Sequence, residues 1–495
     1  MELRDYQTKS VDDCRSSLAQ GNRRPVLVLP TGAGKTVIAA HMIKATDAKG
    51  NKALFLAPRR ELVYQTSEKL TAFGVEHGVM MAGEPSTMFP DVQVGCIPTL
   101  HRRCIQGDKP LPRADLVLVD EAHLSVAKTT RTLIDRYIDE GAVVVGLTAT
   151  PCRSDGAGLG QIYDCLVEGP TIAELIDQGY LVRPRYFSGK APDLKGVRVQ
   201  AGDYNQRQLG ERTNTVELVG DVVENWARLA QGRPTIVFSV NVAHSMALAE
   251  NFQAVGIRAE HVDGRTDNHE RAEILQRLQS GETEVLCNCQ VATYGLDIPP
   301  VSCIVLARPT KSIAAYCQMI GRGLRTHPGK SDCLVLDHAG SVANLGFVDQ
   351  PMPWSLDGKE KVQDRISSKR TDPEPITCGD CGHTFQPERT CPNCGADQGQ
   401  RYSKAIEAHE AQLQEIGKGE KPATMEDKRE FFGELKAIAD QYGYAHGWTA
   451  HKYRERFGVW PNGLKDEPPR PPSVATRAWV RSQNIRYAKS RRAAA

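Results

Sequence analysis

Short runs of uninterrupted apolar residues recur along the first 350 positions. Each is bounded by Pro, Gly or Asp and followed by a stretch with helical spacing. In the front half the runs are Val26–Leu29, Ala53–Ala57, Val92–Ile97, Leu116–Val119 and Val143–Leu147. Continuous rather than alternating apolarity predicts strands covered on both faces, as in a parallel sheet between layers of helices. The pattern returns at Thr235–Phe238, Glu284–Cys287, Ser302–Ala307 and Cys333–Asp337, with amphipathic Val242–Gln253 and His269–Leu278 as helices between them. Two tandem α/β domains with parallel sheets are therefore expected, 1–185 and 205–352, connected through Phe187–Tyr204.

Past residue 352 the pattern breaks. Residues 353–376 are charged and poor in large apolar groups, which predicts a linker. Four cysteines fall within 377–396, residues 400–420 read as a polar helix, and 428–495 form a small basic and aromatic unit expected to be α-helical. The net charge of +2 excludes a uniformly basic coat, so any nucleic-acid surface must come from local placement of charge. The other ten cysteines are scattered singly, often within apolar runs, and read as buried thiols rather than a disulfide framework. No apolar stretch approaches the roughly 20 residues of a membrane span, and no secretory leader is evident. A reduced, cytoplasmic compartment is the expectation.

Two segments carry the chemistry. In Val26–Thr36 a strand leads through Thr31-Gly32-Ala33-Gly34 into a helix that starts near Lys35. The glycines permit a tight loop whose N–H groups face inward, and the helix N-terminus adds its positive dipole end. Lys35 can then reach the β- and γ-phosphates of a nucleotide, and the Thr36 hydroxyl can ligate Mg²⁺. Leu29 stands where the phosphate-loop pattern has its first glycine. The second segment is Leu116–Val119, which ends in Asp120-Glu121-Ala-His123, 85 residues after Lys35. Asp120 would hold Mg²⁺, and Glu121 would orient and deprotonate an attacking water.

These segments together resemble helicase superfamily two of the DEAH-box type, which implies two RecA-like domains, ATP as substrate and a nucleic acid as track. On that resemblance Arg4 and Gln7 in Leu3–Gln7 would read adenine. Arg60 in Pro58–Leu62, Thr99 in Pro98–Leu100 and Ser239 after Phe238 would touch nucleic acid. His123, Thr148, Thr150 and Gln318 would couple hydrolysis to movement, and Gly295 and Asp297 in Gly295–Pro299 would border the nucleotide. The run Gln318–Arg325 resembles the sixth motif, in which Arg322 and Arg325 would stabilise charge on the γ-phosphate, an effect worth about 10³–10⁵ in rate. Their spacing of three predicts that they share one helical face. Gln318 departs from the His of many relatives, and Cys289 from a backbone-binding Thr. A finer likeness is to bacterial RadD-like DNA repair proteins. It is carried by Leu3–Gln7, residues 29–36, Arg308-Pro-Thr310, Gly321–Arg325 and Gly329–Asp337, followed by a zinc module.

Cys378 and Cys381, then Cys391 and Cys394, form two Cys-x-x-Cys knuckles nine residues apart. Four thiolates so placed suit tetrahedral, structural Zn²⁺ with no open position, and a hairpin at His383–Glu388 would join the knuckles. A redox dithiol is the alternative. In the last unit Phe431, Phe432, Tyr442, Tyr444, Trp448, Tyr453, Phe457 and Trp460 crowd into 30 residues, and 471–495 carry six Lys/Arg with no Asp or Glu. The aromatics read as the core of a small helical domain, with base stacking as the alternative. The tail reads either as a phosphate contact or as solvated. Three functions remain open: a DNA helicase or translocase, an RNA helicase with the same engine, and an ATP-gated recruitment protein without a motor. Single-stranded or forked DNA, repair or replication proteins and a monomeric state are expected for the first. No Pro-Asp…Glu-x-Lys nuclease pattern is present.

Overall fold

The apolar runs become the central strands of two parallel sheets. A computed structural model describes residues 2–85, 90–153, 156–188, 192, 194–200, 202–214, 216–289, 298–357, 362, 376–377, 384–385, 390, 395–396, 424–445 and 447–493. The first sheet comprises β1 (Pro25–Val28), β2 (Ala53–Ala57), β3 (Gly78–Met80), β4 (Val92–Cys96), β5 (Leu116–Asp120), β6 (Val143–Thr148) and β7 (Cys165–Glu168) in the order β3-β4-β2-β5-β6-β1-β7. Around it lie α1 (Asp5–Ala19), α2 (Lys35–Asp47), α3 (Arg60–Ala72), α4 (Ile97–Leu100), α5 (Lys128–Asp139) and α6 (Ile172–Asp177). The two strands without a predicting run, β3 and β7, close the edges, where one flank is unpaired and a long apolar run is not required. Since β6 lies between β5 and β1 (Val26↔Gly146, Asp120↔Leu147), the loop after β1 and the acids after β5 flank Thr148 at one carboxyl edge. That edge is where ligands bind in open parallel sheets.

The second sheet comprises β8 (Arg183–Ser188), β11 (Thr235–Phe238), β12 (Ala259–Val262), β13 (Val285–Asn288), β14 (Cys303–Leu306) and β15 (Asp332–Asp337) in the order β12-β13-β11-β14-β15-β8. A two-stranded ribbon, β9 (Val199–Gln200) with β10 (Asp203–Tyr204), precedes its helices. These are α7 (Gln206–Thr213), α8 (Val216–Leu229), α9 (Val242–Gln253), α10 (Asn268–Ser280), α11 (Ile313–Gly321) and α12 (Ser341–Leu345). The expected boundaries at 185 and 205 need correction. Residues 183–188 pair in parallel with β15, from Arg183↔Asp332 to Ser188↔Asp337, so the second sheet begins at 183. As an edge strand, Arg-Pro-Arg-Tyr-Phe-Ser mixes exposed and buried positions and does not present the continuous apolar run that marks a central strand.

Beyond the sheets, β16 (Ile376–Thr377) pairs antiparallel with β17 (Thr384–Phe385), so that these two strands bracket Cys378 and Cys381. The cysteines at 378, 381, 391 and 394 lie outside the described residues. Three helices follow: α13 (Met425–Tyr442), α14 (Trp448–Phe457) and α15 (Val474–Ala493). Thr424 opens α13 with a reciprocal cap, accepting from the Asp427 amide at 3.2 Å while the Asp427 carboxylate accepts from Thr424 N at 2.8 Å. Phe432, Leu435, Ile438, Tyr453, Leu464, Trp479 and Val480 form the core of this unit. On α15, Ala478 and the partly buried Val474 also pack into the core on the α8–α9 side of the second sheet. Arg481 Nε donates to Asn251 Oδ1 of α9 at 3.1 Å. The terminal helix is thereby anchored on the second domain.

Candidate nucleotide and nucleic-acid site

The phosphate loop forms as its glycines predict. Gly34 has φ +80 directly before α2, and a Cβ there would come 2.5 Å from Gln7 Nε2. Only glycine satisfies both the backbone and the space. The N-terminal run grips this loop directly. Tyr6 OH donates to the Ala33 carbonyl at 2.9 Å, Gln7 Nε2 donates to the same oxygen at 3.2 Å, and Gln7 Oε1 accepts from Arg4 N at 3.0 Å. The Arg4 guanidinium lies 4.4 Å over the ring of Tyr180, which is itself 5.1 Å from Tyr6. Tyr180 belongs to no motif, and only the folded chain brings it to Arg4 and Tyr6. Lys35 Nζ donates to Leu29 O at 3.2 Å. Burial lowers its pKa against the opposing pull of Glu121 and Asp120. Thr36 occupies the first turn of α2.

Across β6 sit the carboxylates, both buried. Burial, then repulsion from Glu121, pushes the Asp120 carboxyl well above its ordinary value, while Lys35 pulls the other way. Two adjacent buried carboxylates offer the hard oxygen ligands that a divalent cation takes. Glu121 is held at φ +49, the sole non-glycine residue with positive φ among those described, a conformation that costs about 1–3 kcal/mol. Its amide donates to Asp120 Oδ1 at 2.9 Å. His123 Nδ1 lies 3.3 Å from Glu121 Oε2 and 3.2 Å from Thr148 Oγ1. The Thr148 hydroxyl donates to Thr150 O and accepts from Thr150 N, both at 3.1 Å, so Nδ1 of His123 is the donor toward it. Burial lowers the His123 pKa, with Glu121 opposing. Glu121, His123, Thr148 and Thr150 are thus one chain of contacts.

The second domain closes onto this edge. Gln318 Nε2 donates to Glu121 Oε2 at 3.4 Å, across 197 residues of sequence. Arg322 is buried, and its charge acts on both Asp120 and Lys35. Arg325 also acts on Lys35, and its Cγ lies 3.3 Å from where a Cβ on Gly32 would stand. The two arginines do not share a helical face as their spacing predicts. α11 ends at Gly321, Arg322 caps it, and Arg325 is held by a bridge to Leu181, with Val182 N donating to Leu324 O at 2.8 Å. The segment after α6 thus sets Arg325. On another part of the cleft Arg271 Nη1 contacts Glu61 Oε1 at 2.9 Å.

The expected nucleic-acid contacts are less uniform. Arg60 donates to Ala82 O at 2.6 Å and to Tyr64 OH at 3.3 Å, and Thr99 Oγ1 accepts from Ala82 N at 3.2 Å. Both side chains therefore brace the loop after β3. Ser239, just past β11, is buried, and its hydroxyl has no partner among the described residues. Gly295 and Asp297 lie outside the described residues. Among the described residues no cluster of His, Cys, Asp and Glu would hold a metal by itself, and no helix is long and apolar enough to cross a membrane.

Two facing parallel sheets, one bearing a phosphate loop and paired acids and the other presenting two arginines to them, define a tandem RecA-like nucleotide-binding core. The chain belongs to helicase superfamily two: residues 1–153 match the family of type III restriction enzyme res subunits and residues 215–327 the helicase conserved C-terminal domain. It is 35% identical over 367 residues to IRC3 of Saccharomyces cerevisiae, named as a candidate ATP-dependent helicase, covering 70% of this chain and 53% of that protein. The chain thus spans about half the length of that relative. It is 24% identical to a protein of Sulfurisphaera tokodaii named DNA 3'-5' translocase XPB2, covering 66% of this chain and 79% of that one. In fold it matches a fragment of an HsdR subunit of a type I restriction enzyme from Vibrio vulnificus, with a TM-score of 0.54 at 22% identity, over 70% of this chain and 67% of that one.

Proposed function

We propose that this chain is a DNA-dependent ATP hydrolase that couples turnover to movement along DNA. The observation that carries the reading is the cross-cleft arrangement in which Gln318 meets Glu121 while Arg322 and Arg325 bear on Lys35. Lys35 with Thr31–Gly34 cradles the phosphates, and Thr36 and Asp120 would hold Mg²⁺, which supplies charge neutralisation on the phosphate oxygens. Glu121 takes the proton of the attacking water, and its fixed backbone aims the carboxylate. Arg322 and Arg325 stabilise the transferred charge only when the domains are closed, so hydrolysis and opening are linked. His123, Thr148, Thr150 and Gln318 pass that change on. Arg60, Thr99 and Ser239 line the track, while Arg4, Gln7, Gly295 and Asp297 border the nucleotide.

DNA rather than RNA is supported by the Sulfurisphaera relative named as a DNA translocase. A RadD-like affiliation and a repair role are supported by the shared runs at 3–7, 308–310, 321–325 and 329–337 and by the four-cysteine module behind them. Cys378, Cys381, Cys391 and Cys394 bind structural zinc in this reading, supported by the short β16–β17 pairing that flanks the first knuckle. The protein works as a cytoplasmic monomer. The test is ATP turnover with no nucleic acid, single-stranded DNA, forked DNA and RNA, each repeated with Glu121→Gln. Stimulation by DNA above RNA, abolished by the substitution, is expected. Turnover indifferent to every polymer, or surviving Glu121→Gln, sinks the proposal.

A further inference from the structure

Away from the cleft, exposed aromatic side chains concentrate on the C-terminal unit. Tyr442 is 63% exposed, Trp460 43% and Tyr444 36%, and Tyr64 is the single other large exposed aromatic among the described residues. Their core counterparts, Phe432, Tyr453 and Trp479, already hold the three helices together. The exposed rings are ordered rather than scattered. Tyr442 and Tyr444 stack at 6.0 Å and 29°, and Tyr444 and Trp448 at 4.4 Å and 23°. One turn along α14 from Trp448, His451 meets Trp460 at 5.2 Å, and the Arg454 guanidinium lies 4.7 Å over that indole. The edge of the strip adjoins α15, where Asn484 Nδ2 donates to Tyr444 OH at 3.2 Å. From residue 471 onward the chain carries six Lys/Arg and no carboxylate side chain.

We propose that this strip is an accessory site for single-stranded nucleic acid. Unpaired bases stack on Tyr442 and Tyr444 and against the Arg454–Trp460 plane, and the phosphates run toward α15. Flat rings with polar rims suit unpaired bases, because every base has a π-face. The neighbouring helix carries lysines and arginines and no carboxylate of its own in sequence, a bias that suits a polyanion better than an apolar protein partner. The inference rests on the reading that the partner is nucleic acid, but not on the motor.

The full chain is tested without ATP against a fluorescent oligo-dT. Tyr442→Ala with Trp460→Ala lies on exposed positions and is expected to weaken binding about 100-fold, about 10-fold per ring. Trp460→Phe keeps a ring and is expected to retain most of the affinity. Oligo-dT is also expected to shield the emission of Trp460 from acrylamide. Unchanged affinity in the double variant, or Trp460 left open to acrylamide in the complex, overturns the inference and leaves the strip as a protein-docking face. If wild-type turnover ignores DNA while these binding effects hold, the motor proposal fails and the accessory site stands.

Discussion

Gly321→Ala isolates domain closure from folding and from nucleotide binding. The added Cβ would stand 2.5 Å from Thr31 Cβ and 3.1 Å from its Oγ1 and Cγ2. Carbon atoms in contact rest about 3.5–4.0 Å apart, so relief needs the domains to part by about 1 Å or slightly more at this point. Arg322 and Arg325 follow on the same segment and retreat with it. A misplacement of about 1 Å costs on the order of 100-fold in rate. Within α11 the substitution demands no unusual backbone conformation. Gly321 has no positive φ and ends α11, where Ala is favoured over Gly by about 0.5–1 kcal/mol. The expected result is nucleic-acid-stimulated kcat lower by about 100-fold, with a melting temperature equal to or above the parent's. Affinity for a fluorescent ATP analogue should fall far less than kcat, because Gly32–Thr36 are untouched and only Thr31, at the start of the cradle, meets the new methyl group. A variant that turns over within about two-fold of the parent would refute the claim that the arginines act by closure at this distance.

Two further outcomes are expected, one from the cleft and one from the cysteine spacing. Because the fold raises the Asp120 pKa, its charged form is disfavoured, and the penalty is fully present above the folded value and gone below the unfolded one, about 4. Asp120→Asn should therefore raise the melting temperature at pH 8, with the gain fading toward pH 4, while abolishing turnover; a gain that grows as the pH falls contradicts the sign. Metal analysis of purified protein should find about one zinc per chain, lost in Cys378→Ser with Cys391→Ser. A wild-type chain essentially free of zinc counts against the four-cysteine site.

The central strands were legible because burial on both faces demands unbroken apolar runs. The edge strands β3, β7, β8 and β12 were not, since an edge tolerates polar positions. That is why Arg183–Ser188 was expected to straddle the end of the first domain, although it closes the second sheet. Arg322 and Arg325 were legible as a pair, but their means of convergence was not, because α11 stops one residue short and Leu181 holds Arg325 instead. Tyr180 had no signal, and neither did the joint bracing of Ala82 by Arg60 and Thr99.

The phosphate loop and the paired acids were determined by sequence alone, because each is a contiguous strand–turn unit whose backbone geometry is set by neighbouring residues. Tertiary structure decided everything that depends on separation across the cleft, from Gln318 on Glu121 to Gly321 against Thr31. Those contacts join positions nearly 200 or more residues apart, and their distances are set by how two packed sheets meet, a property that no local run of residues encodes.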